Sequence, residues 1–188
     1  MANDRAKDRE ARIDEMLDKQ DIYECLVRMS RGTDRFDSEL FLSTCHEDAI
    51  LAAGPFVGSP AEMAEWSSEL QEMAHTGTFH NLLNHSCEID GDVAHGETYY
   101  LFVGMNRDQT NILAGGRYID RFERRGGEWK LAARNNVIEW SSVLSALENP
   151  LASFPGIDDN GIVARSKDDI SYRRPYANRR DHNVPKFG

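Results

Sequence analysis

Cysteine is scarce in this chain, and its few cysteines are not spaced as metal ligands. Cys25, Cys45 and Cys87 form an odd set without a CxxC pair, so the sequence indicates neither a disulfide framework nor a zinc site. We interpret them as reduced, buried thiols of a cytoplasmic protein. The sequence also lacks an HExxH motif and clustered carboxylates. We therefore expect no bound metal.

Long apolar runs and an excess of basic residues are also missing. No run of about 18 apolar residues occurs, and the first residues, MANDRAKDREAR, are highly charged. We therefore expect no export signal and no membrane span. The chain has 22 Lys and Arg against 32 Asp and Glu, a formal net charge of -10. This charge opposes non-specific attraction to phosphate backbones and anionic lipids, so nucleic acid is not an expected partner.

The first part of the chain has the apolar periodicity of helices. This periodicity predicts a first helix from about Asp8 to Arg31 and a short second helix from Asp37 to Cys45, with Asp37 as N-cap. Residues 48–58 are predicted to form one strand. The sequence Ser59-Pro60-Ala61-Glu62 is typical of a capping box that starts a third helix. The side chains that this third helix is expected to bury are Met63, Trp66, Leu70 and Met73.

Beyond Gly77 the pattern changes to strands separated by turn residues. Short turns such as Asp90-Gly91 and Gly126-Gly127 join consecutive strands, which predicts an antiparallel meander. Helices followed by a run of strands indicate an α+β fold. The four predicted strands are residues 79–89, 93–105, 112–124 and 128–140.

The last part of the chain is unlike the rest. It is rich in Pro, Gly, Asp, Arg and Asn and has few aliphatic residues, so it cannot form a core of its own. We therefore divide the chain into a domain of residues 1–149 and a C-terminal extension of residues 150–188. The extension either docks on its own domain or a neighbouring subunit, or is largely disordered. The side chains available for docking are Phe154, Ile162, Tyr172 and Tyr176.

The last strand has two alternating faces. One face is formed by alternate positions that are apolar, namely Trp129, Leu131, Ala133 and Val137. This pattern predicts that the face points to the interior. Asn135 falls on the same side. A buried Asn needs hydrogen-bond partners, and in a hollow sheet the partner is either a ligand or a neighbouring strand.

We do not expect the histidines to form a metal site. His80 begins a long strand, and parity leaves it on either face of the sheet. His85 points opposite to His80 in a regular strand, so the two cannot chelate one metal together. His46, His75 and His95 lie beside polar residues at the ends of elements, and we expect them to be solvated.

Other polar residues have both structural and functional interpretations. Asp34 belongs to the sequence RGTDRFD, which we expect to form the turn between the first two helices, where an Asp commonly caps or stabilises the turn. Tyr100 and Tyr118 lie on strands, and their phenols either donate to a ligand oxygen or only pack.

Three stretches of the sequence resemble one known family. They are RGTDRFDSELFLSTCHEDAIL, TFHNLLNHSCEIDGDVAHGETYYL and GGRYIDRFERRGGEWKLAARNNVIEW. They resemble the polyketide-cyclase (SnoaL)-like branch of the nuclear transport factor two-like superfamily. The resemblance implies a cone-shaped fold of three helices packed on a strongly curved, mixed and mostly antiparallel sheet.

Within that branch the chain is similar to scytalone dehydratases, bile-acid dehydratases and hexachlorocyclohexane dehydrochlorinases, which are cofactor-free lyases. The resemblance implies that Asp34 and His80 form a catalytic dyad in a pocket and that no cofactor is needed. The resemblance to the dehydrochlorinases also implies basic residues where this chain has Met29 and Asn135, and the resemblance to the dehydratases implies a Tyr near Met29. Without an obvious cationic halide site, dehydration is favoured over loss of chloride. The predicted substrate-binding residues are Asn135, Tyr100, Tyr118, Trp66 and Met29.

Two functions from different classes remain open at this stage. One is a lyase or isomerase for a small lipophilic cyclic substrate, with His80 as base and Asp34 holding it. The other is a non-catalytic protein of the same fold that binds a hydrophobic ligand or serves as an assembly subunit. An Asp34 turned away from His80 would favour the second. The resemblance also implies a homo-oligomer, either a trimer or a dimer.

Overall fold

The computed structural model describes residues 2–145, 161, 163–177 and 180–181. The chain divides into two compact units, Met1–Ala146 and Leu147–Gly188. Among the described residues, no helix is both long and apolar enough to cross a membrane. All helices and strands named below as α1–α3 and β1–β6 belong to the first unit.

The helices are α1 (Ala2–Arg35), α2 (Ser38–Leu42) and α3 (Pro60–Ala74). α1 is longer than predicted, because Gly32 does not end it. A Cβ at position 32 would lie 2.8 Å from the backbone nitrogen of Phe41, so this glycine permits close packing of α1 against α2 instead. The chain reverses at Phe36, whose φ is 51°. Asp34 therefore lies in the last turn of α1 and not in the predicted turn.

Both predicted caps are present. The Asp37 side chain accepts a hydrogen bond from the Leu40 backbone nitrogen at the start of α2. Ser59 and Glu62 form the predicted capping box of α3, with Pro60 at its first position. The N-termini of α2 and α3 are thus fixed by local side chains, as the sequence predicts.

The strands are β1 (Cys45–Ala53), β2 (Phe56–Gly58), β3 (His75–Asp90), β4 (Val93–Asn106), β5 (Asn111–Arg125) and β6 (Glu128–Leu144). The single strand predicted over residues 48–58 is wrong. It is a hairpin of β1 and β2 that turns at Gly54, whose φ of 55° suits glycine. The four later strands are present, each longer than predicted.

One six-stranded sheet has the order β2-β1-β6-β5-β4-β3. β1 and β6 pair in parallel, and all other neighbours are antiparallel. The predicted α+β class, the meander and the mixed, mostly antiparallel sheet are therefore confirmed. Register shifts occur in the β3–β4, β1–β6 and β5–β6 pairs, and β-bulges of this kind bend a strand.

The core fills the space between the helices and one face of the sheet. Its fully buried members include Ile22 and Leu26 of α1 and Phe122 and Leu131 of the sheet. α3 contributes less than predicted. Met63 is buried and Trp66 is half-buried, but Leu70 and Met73 are exposed. The buried residue in that turn of α3 is Gln71 instead.

In the second unit, a short 3-10 helix spans Ile170–Tyr172. The buried Asp169 caps it by accepting a hydrogen bond from the Ser171 backbone nitrogen. Tyr176 is exposed. Of the side chains that the sequence offers for docking, Phe154 and Ile162 lie outside the described residues.

Candidate functional site

A cavity of about 460 Å³ lies in the first unit between the helices and the inner face of the sheet. Its size is in the range of small-molecule sites. Most of the lining side chains are apolar, which suits a lipophilic ligand. The large apolar residues of the lining are Met29, Phe41, Leu51, Met63, Trp66, Leu70, Phe102 and Ile138.

His80 lines this cavity and is held by Asp34, which is not itself part of the lining. His80 Nδ1 lies 2.6 Å from Asp34 Oδ1, and the His80 backbone nitrogen donates to Asp34 Oδ2 at 3.0 Å. A carboxylate only accepts, so Nδ1 of the neutral imidazole carries the proton. His80 lines the cavity, and Nε2 has no hydrogen-bond partner among the described residues. Nε2 is therefore the ring atom left to act on a ligand.

The position of Asp34 is electrostatically unfavourable by itself. It lies in the last turn of α1, where the helix dipole disfavours negative charge. Three hydrogen bonds from β3 offset this: two from His80 and one from the Thr78 hydroxyl at 3.0 Å. The side chains of Asp34 and His80 are only 14% and 18% exposed. The carboxylate is thus held by the strand that carries the imidazole.

A buried polar chain extends from this pair to α3. The Thr78 hydroxyl lies 3.0 Å from both Asp34 Oδ1 and Gln71 Oε1. A hydroxyl has one proton, which goes to the acceptor-only carboxylate. The Gln71 amide then donates to Thr78 in the orientation that turns its NH₂ toward the hydroxyl. Thr78 and Gln71 are both buried, so this chain links α3, β3 and α1 behind the cavity.

A bulge in β3 changes the predicted orientation of His85. Leu82 pairs with Tyr100 and His85 with Thr98, so β3 has one extra residue between them. His85 consequently shares the face of His80 instead of opposing it. It contacts Thr98 at 2.9 Å and the Tyr23 ring, and burial lowers the pKa of its imidazole. Within the described parts of the chain, no group of three or more His, Cys, Asp or Glu is placed to hold a metal.

The other histidines are less solvated than predicted. His46 is buried, and its Nε2 lies 2.9 Å from the Glu123 carbonyl oxygen. Burial lowers the pKa of His46. His75 borders the cavity, whereas His95 is exposed, as expected.

A second bulge reverses the predicted faces of β6. Leu131 pairs with Phe122 and Ala133 with Arg121, so Ala132 is an extra residue on β6. Residues beyond it change sides. Asn135 is exposed and absent from the cavity lining, contrary to its predicted inward orientation. Val137 is likewise 38% exposed. The cavity is lined instead by Arg134, Asn136 and Ile138.

Arg134 gives the cavity a basic residue that the sequence interpretation did not include. It donates to Asp120 through Nε at 2.8 Å and Nη2 at 2.7 Å. Burial opposes the charge, but the carboxylate outweighs it and raises the pKa of Arg134 above its ordinary value. Nη1 lies 3.0 Å from the Met29 sulfur, a weak acceptor. Three of the five N–H groups of the guanidinium are engaged in these contacts, and the other two have no partner among the described residues.

Tyr100 and Tyr118 lie together beside Arg134. Their rings stack with centroids 4.4 Å apart, and the Arg134 guanidinium lies 4.0 Å from the centroid of Tyr118. Burial raises the pKa of both phenols, so they stay protonated. Asn136 hydrogen-bonds Tyr100, while its buried Oδ1 has no partner among the described residues.

The remaining predicted binding residues also line the cavity. Met29 is buried against Arg134, and Trp66 stacks on Phe56 with ring centroids 5.0 Å apart. Of the predicted site residues, the cavity lining thus includes His80, Met29, Trp66, Tyr100 and Tyr118, whereas Asp34 contacts His80 without lining the cavity and Asn135 lies outside it. Sequence reasoning missed Arg134, Asn136, Thr78 and Gln71, and the bulge at Ala132 hid the first two.

The comparisons with known proteins bear on the family and the fold of the chain. A family model described as a SnoaL-like domain matches residues 14–135. No curated protein matches the chain. The family resemblance predicted from the three sequence stretches is confirmed by this match.

Solved structures with a similar fold are distant in sequence. The hexachlorocyclohexane dehydrochlorinase LinA-type3 from Novosphingobium barchaimii is 19% identical, with a TM-score of 0.67 over 72% of this chain and 95% of that one. A candidate scytalone dehydratase from Novosphingobium aromaticivorans is 14% identical, with a TM-score of 0.62 over 72% and 96%. A cystatin-like protein of unknown function from Nostoc punctiforme is 23% identical, with a TM-score of 0.58 over 65% and 92%. These likenesses establish the fold alone.

Proposed function

We propose that this chain, which belongs to the SnoaL-like domain family, is a cofactor-independent lyase or isomerase acting on a small lipophilic cyclic substrate. The reaction that we favour is a dehydration. One observation carries the proposal: the 2.6 Å contact between His80 Nδ1 and Asp34 Oδ1 at the wall of an apolar cavity. The structural neighbours include proteins described as a dehydrochlorinase and a candidate scytalone dehydratase, and both names denote elimination reactions.

His80 is the general base in this proposal. Because Asp34 accepts from Nδ1, the Nε2 lone pair faces the ligand and removes a proton from the carbon next to a ketone. Asp34 fixes the tautomer and the ring orientation and stabilises the imidazolium that forms. Thr78 and Gln71 act as positioning residues, since Thr78 donates to the carboxylate and Gln71 contacts the Thr78 hydroxyl.

The residues around Arg134 stabilise the negative charge that develops on the ketone oxygen. The charge of Arg134 is balanced by Asp120, so the guanidinium supplies fixed donors to an oxyanion without making the site strongly cationic. Tyr100 keeps its proton and is a second candidate donor. This arrangement favours a substrate with a carbonyl group over one that only releases chloride.

The proton taken by His80 completes the reaction. In the dehydration, the enolate electrons form a carbon–carbon double bond as the β hydroxyl group leaves. The imidazolium returns its proton to that hydroxyl, and water departs. In the isomerase version, the same proton returns to another carbon of the enolate. Both versions leave the enzyme unchanged and need no cofactor.

A bicyclic β-hydroxy ketone tests this proposal. Loss of water from a hydroxytetralone, with the hydroxyl group β to the ketone, gives a naphthol that is followed by its fluorescence. We expect the wild-type protein to accelerate this reaction and His80→Ala to lose the acceleration. His95→Gln, which changes an exposed histidine outside the cavity, is the matched control. Tight binding without turnover in the wild type would instead favour the ligand-binding alternative.

We also propose a cytoplasmic homo-oligomer, either a trimer or a dimer. The face of the sheet away from the cavity exposes large apolar side chains on four strands, and a second copy would cover them. These residues are Phe79, Tyr99, Ile119 and Val137. The three free cysteines fit a reducing compartment. Light scattering that detects only a 21.3 kDa species would rule out the oligomer.

A further inference from the structure

The Tyr118 hydroxyl is a polar group of the cavity that the mechanism above does not use. Tyr118 is only 6% exposed and lines the cavity. Its hydroxyl has no hydrogen-bond partner among the described residues. The hydroxyl of a buried tyrosine usually has such a partner. A ligand in the cavity is therefore the partner that remains for this hydroxyl.

The ring of Tyr118 is held by its neighbours, although its hydroxyl is not. Tyr118 lies in β5 between Thr98 of β4 and Asn136 of β6. Its ring stacks on the ring of Tyr100 with an angle of 16° between the planes, and the Arg134 guanidinium lies 4.0 Å from its centroid. Both contacts need the ring and not the hydroxyl. The phenol oxygen is thus positioned without a hydrogen bond of its own.

The Tyr118 hydroxyl is within electrostatic reach of the Asp34–His80 pair. Burial raises the pKa of Tyr118, and the Asp34 carboxylate adds to this rise, although Arg134 acts in the opposite direction. An effect of Asp34 requires that the two groups lie near each other, because charge interactions weaken with distance. A phenol with a raised pKa donates a hydrogen bond and keeps its proton. A ligand at His80 therefore meets a neutral donor.

Two oxygens of the proposed substrate gain negative charge during loss of water. Arg134 and Tyr100 serve the ketone oxygen in the mechanism above. The leaving oxygen takes the electron pair of the breaking carbon–oxygen bond and receives its proton from the His80 imidazolium. A donor that is already in place stabilises the charge on this oxygen while the bond breaks. Tyr118 can fill this place without transferring its own proton, so it is unchanged when water departs.

We infer that Tyr118 is a catalytic residue for departure of the hydroxyl group, and that its phenol donates a hydrogen bond to the leaving oxygen while His80 returns the proton. This inference rests on the proposed function of the cavity and deepens it. It also restricts the substrate class, because the leaving group has to accept a hydrogen bond from a neutral phenol. The hydroxyl group of a β-hydroxy ketone does so.

Two reactions separate this role from the rest of the mechanism. Loss of water from the hydroxytetralone needs a leaving group, whereas exchange of the hydrogens next to the ketone of tetralone in deuterated water does not. We expect Tyr118→Phe, which keeps the ring, to lower the kcat of water loss roughly a hundredfold and to leave the exchange rate unchanged. Tyr100→Phe should lower both rates. Tyr23→Phe, which changes a half-buried tyrosine outside the cavity lining, is the matched control and should lower neither.

Thermal unfolding shows whether the Tyr118 hydroxyl serves the fold instead. Because this hydroxyl has no partner among the described residues, Tyr118→Phe should melt at or above the wild-type temperature. A lower melting temperature would indicate a structural hydrogen bond and would overturn the inference.

The rates of Tyr118→Phe can also overturn the inference. Wild-type rates in both reactions would remove Tyr118 from the mechanism, and equal losses in both would assign its hydroxyl to the ketone oxygen. Either result leaves the His80-dependent reactions of the wild-type protein untouched. A wild-type protein that accelerates neither reaction would contradict the proposed function, and the role of Tyr118 with it.

Discussion

The two polar pairs beside the cavity are held in different ways. Arg134 and Asp120 form two parallel hydrogen bonds, with side chains 12% and 0% exposed. In the Asp34–His80 pair, one imidazole nitrogen is held and the other faces the cavity with no partner among the described residues. The first pair keeps its charges fixed, whereas the second can exchange a proton. A buried charge is therefore not by itself a sign of a reactive group. A titratable atom that faces the cavity without a partner, such as His80 Nε2, is a better sign.

We expect the largest effect from breaking the Asp34–His80 pair. His80→Ala and Asp34→Asn should each lower the rate of water loss by roughly two to four orders of magnitude. The double variant should be little worse than the worse single variant, because the two residues act as one unit. Rates should be compared at a temperature where circular dichroism shows every variant folded. Additive losses in the double variant would indicate that the two side chains act separately.

Breaking the Arg134–Asp120 pair should mainly lower the stability of the protein. Asp120→Asn leaves the Arg134 charge buried without its carboxylate, and we expect the free energy of unfolding to fall by about 3–5 kcal/mol. Urea denaturation measures this loss. Asp92→Asn is the matched control, because it breaks an Arg–Asp contact whose acidic side chain is 72% exposed. The control should lose less than about 1 kcal/mol, and equal losses in the two variants would contradict the comparison.

The polar chain behind Asp34 should have a smaller effect on both properties. Thr78→Val keeps the shape of the side chain but removes one donor to Asp34 and the acceptor for Gln71. We expect a loss of about 1–3 kcal/mol in stability and a loss in rate beyond that caused by unfolding. Thr76→Val, an exposed change on the same strand, is the control. A Thr78→Val protein with wild-type kcat would remove Thr78 from the positioning residues.

The smallest effect concerns histidines that are not part of either pair. Burial lowers the pKa of His46 and His85 below the ordinary value of 6.5. Below that value the unfolded chain takes up protons that the folded protein does not bind, so stability should fall as the pH falls. His85→Gln should reduce this slope more than His95→Gln does. Equal slopes in urea denaturation at several pH values would contradict the assignment.

Most of the fold could be predicted from local patterns. The capping box at Ser59, the N-cap at Asp37 and the tight turns at Gly91 and Gly126 are signals within a few residues. The errors arose where a tertiary contact decided the outcome. The first helix was predicted to end at about Arg31, but it continues through Gly32, which allows close packing against Phe41.

The candidate site was harder to predict than the fold. Parity left His80 on either face, and the family resemblance alone paired it with Asp34. One extra residue at Ala132 exchanged Asn135 for Asn136 and brought Arg134 to the cavity. Strand alternation has a period of two, so an unseen bulge reverses every later side chain. Contacts between distant strands place such a bulge, and the local sequence does not reveal it.

The most direct test of the central claim isolates the removal of a proton by His80. Tetralone, which has the ketone but no leaving group, is incubated with the protein in deuterated water, and NMR follows exchange of the hydrogens next to the carbonyl. We expect the wild-type and His95→Gln proteins to accelerate this exchange and His80→Ala to leave it at the background rate. Equal acceleration by the wild-type and His80→Ala proteins would contradict the account.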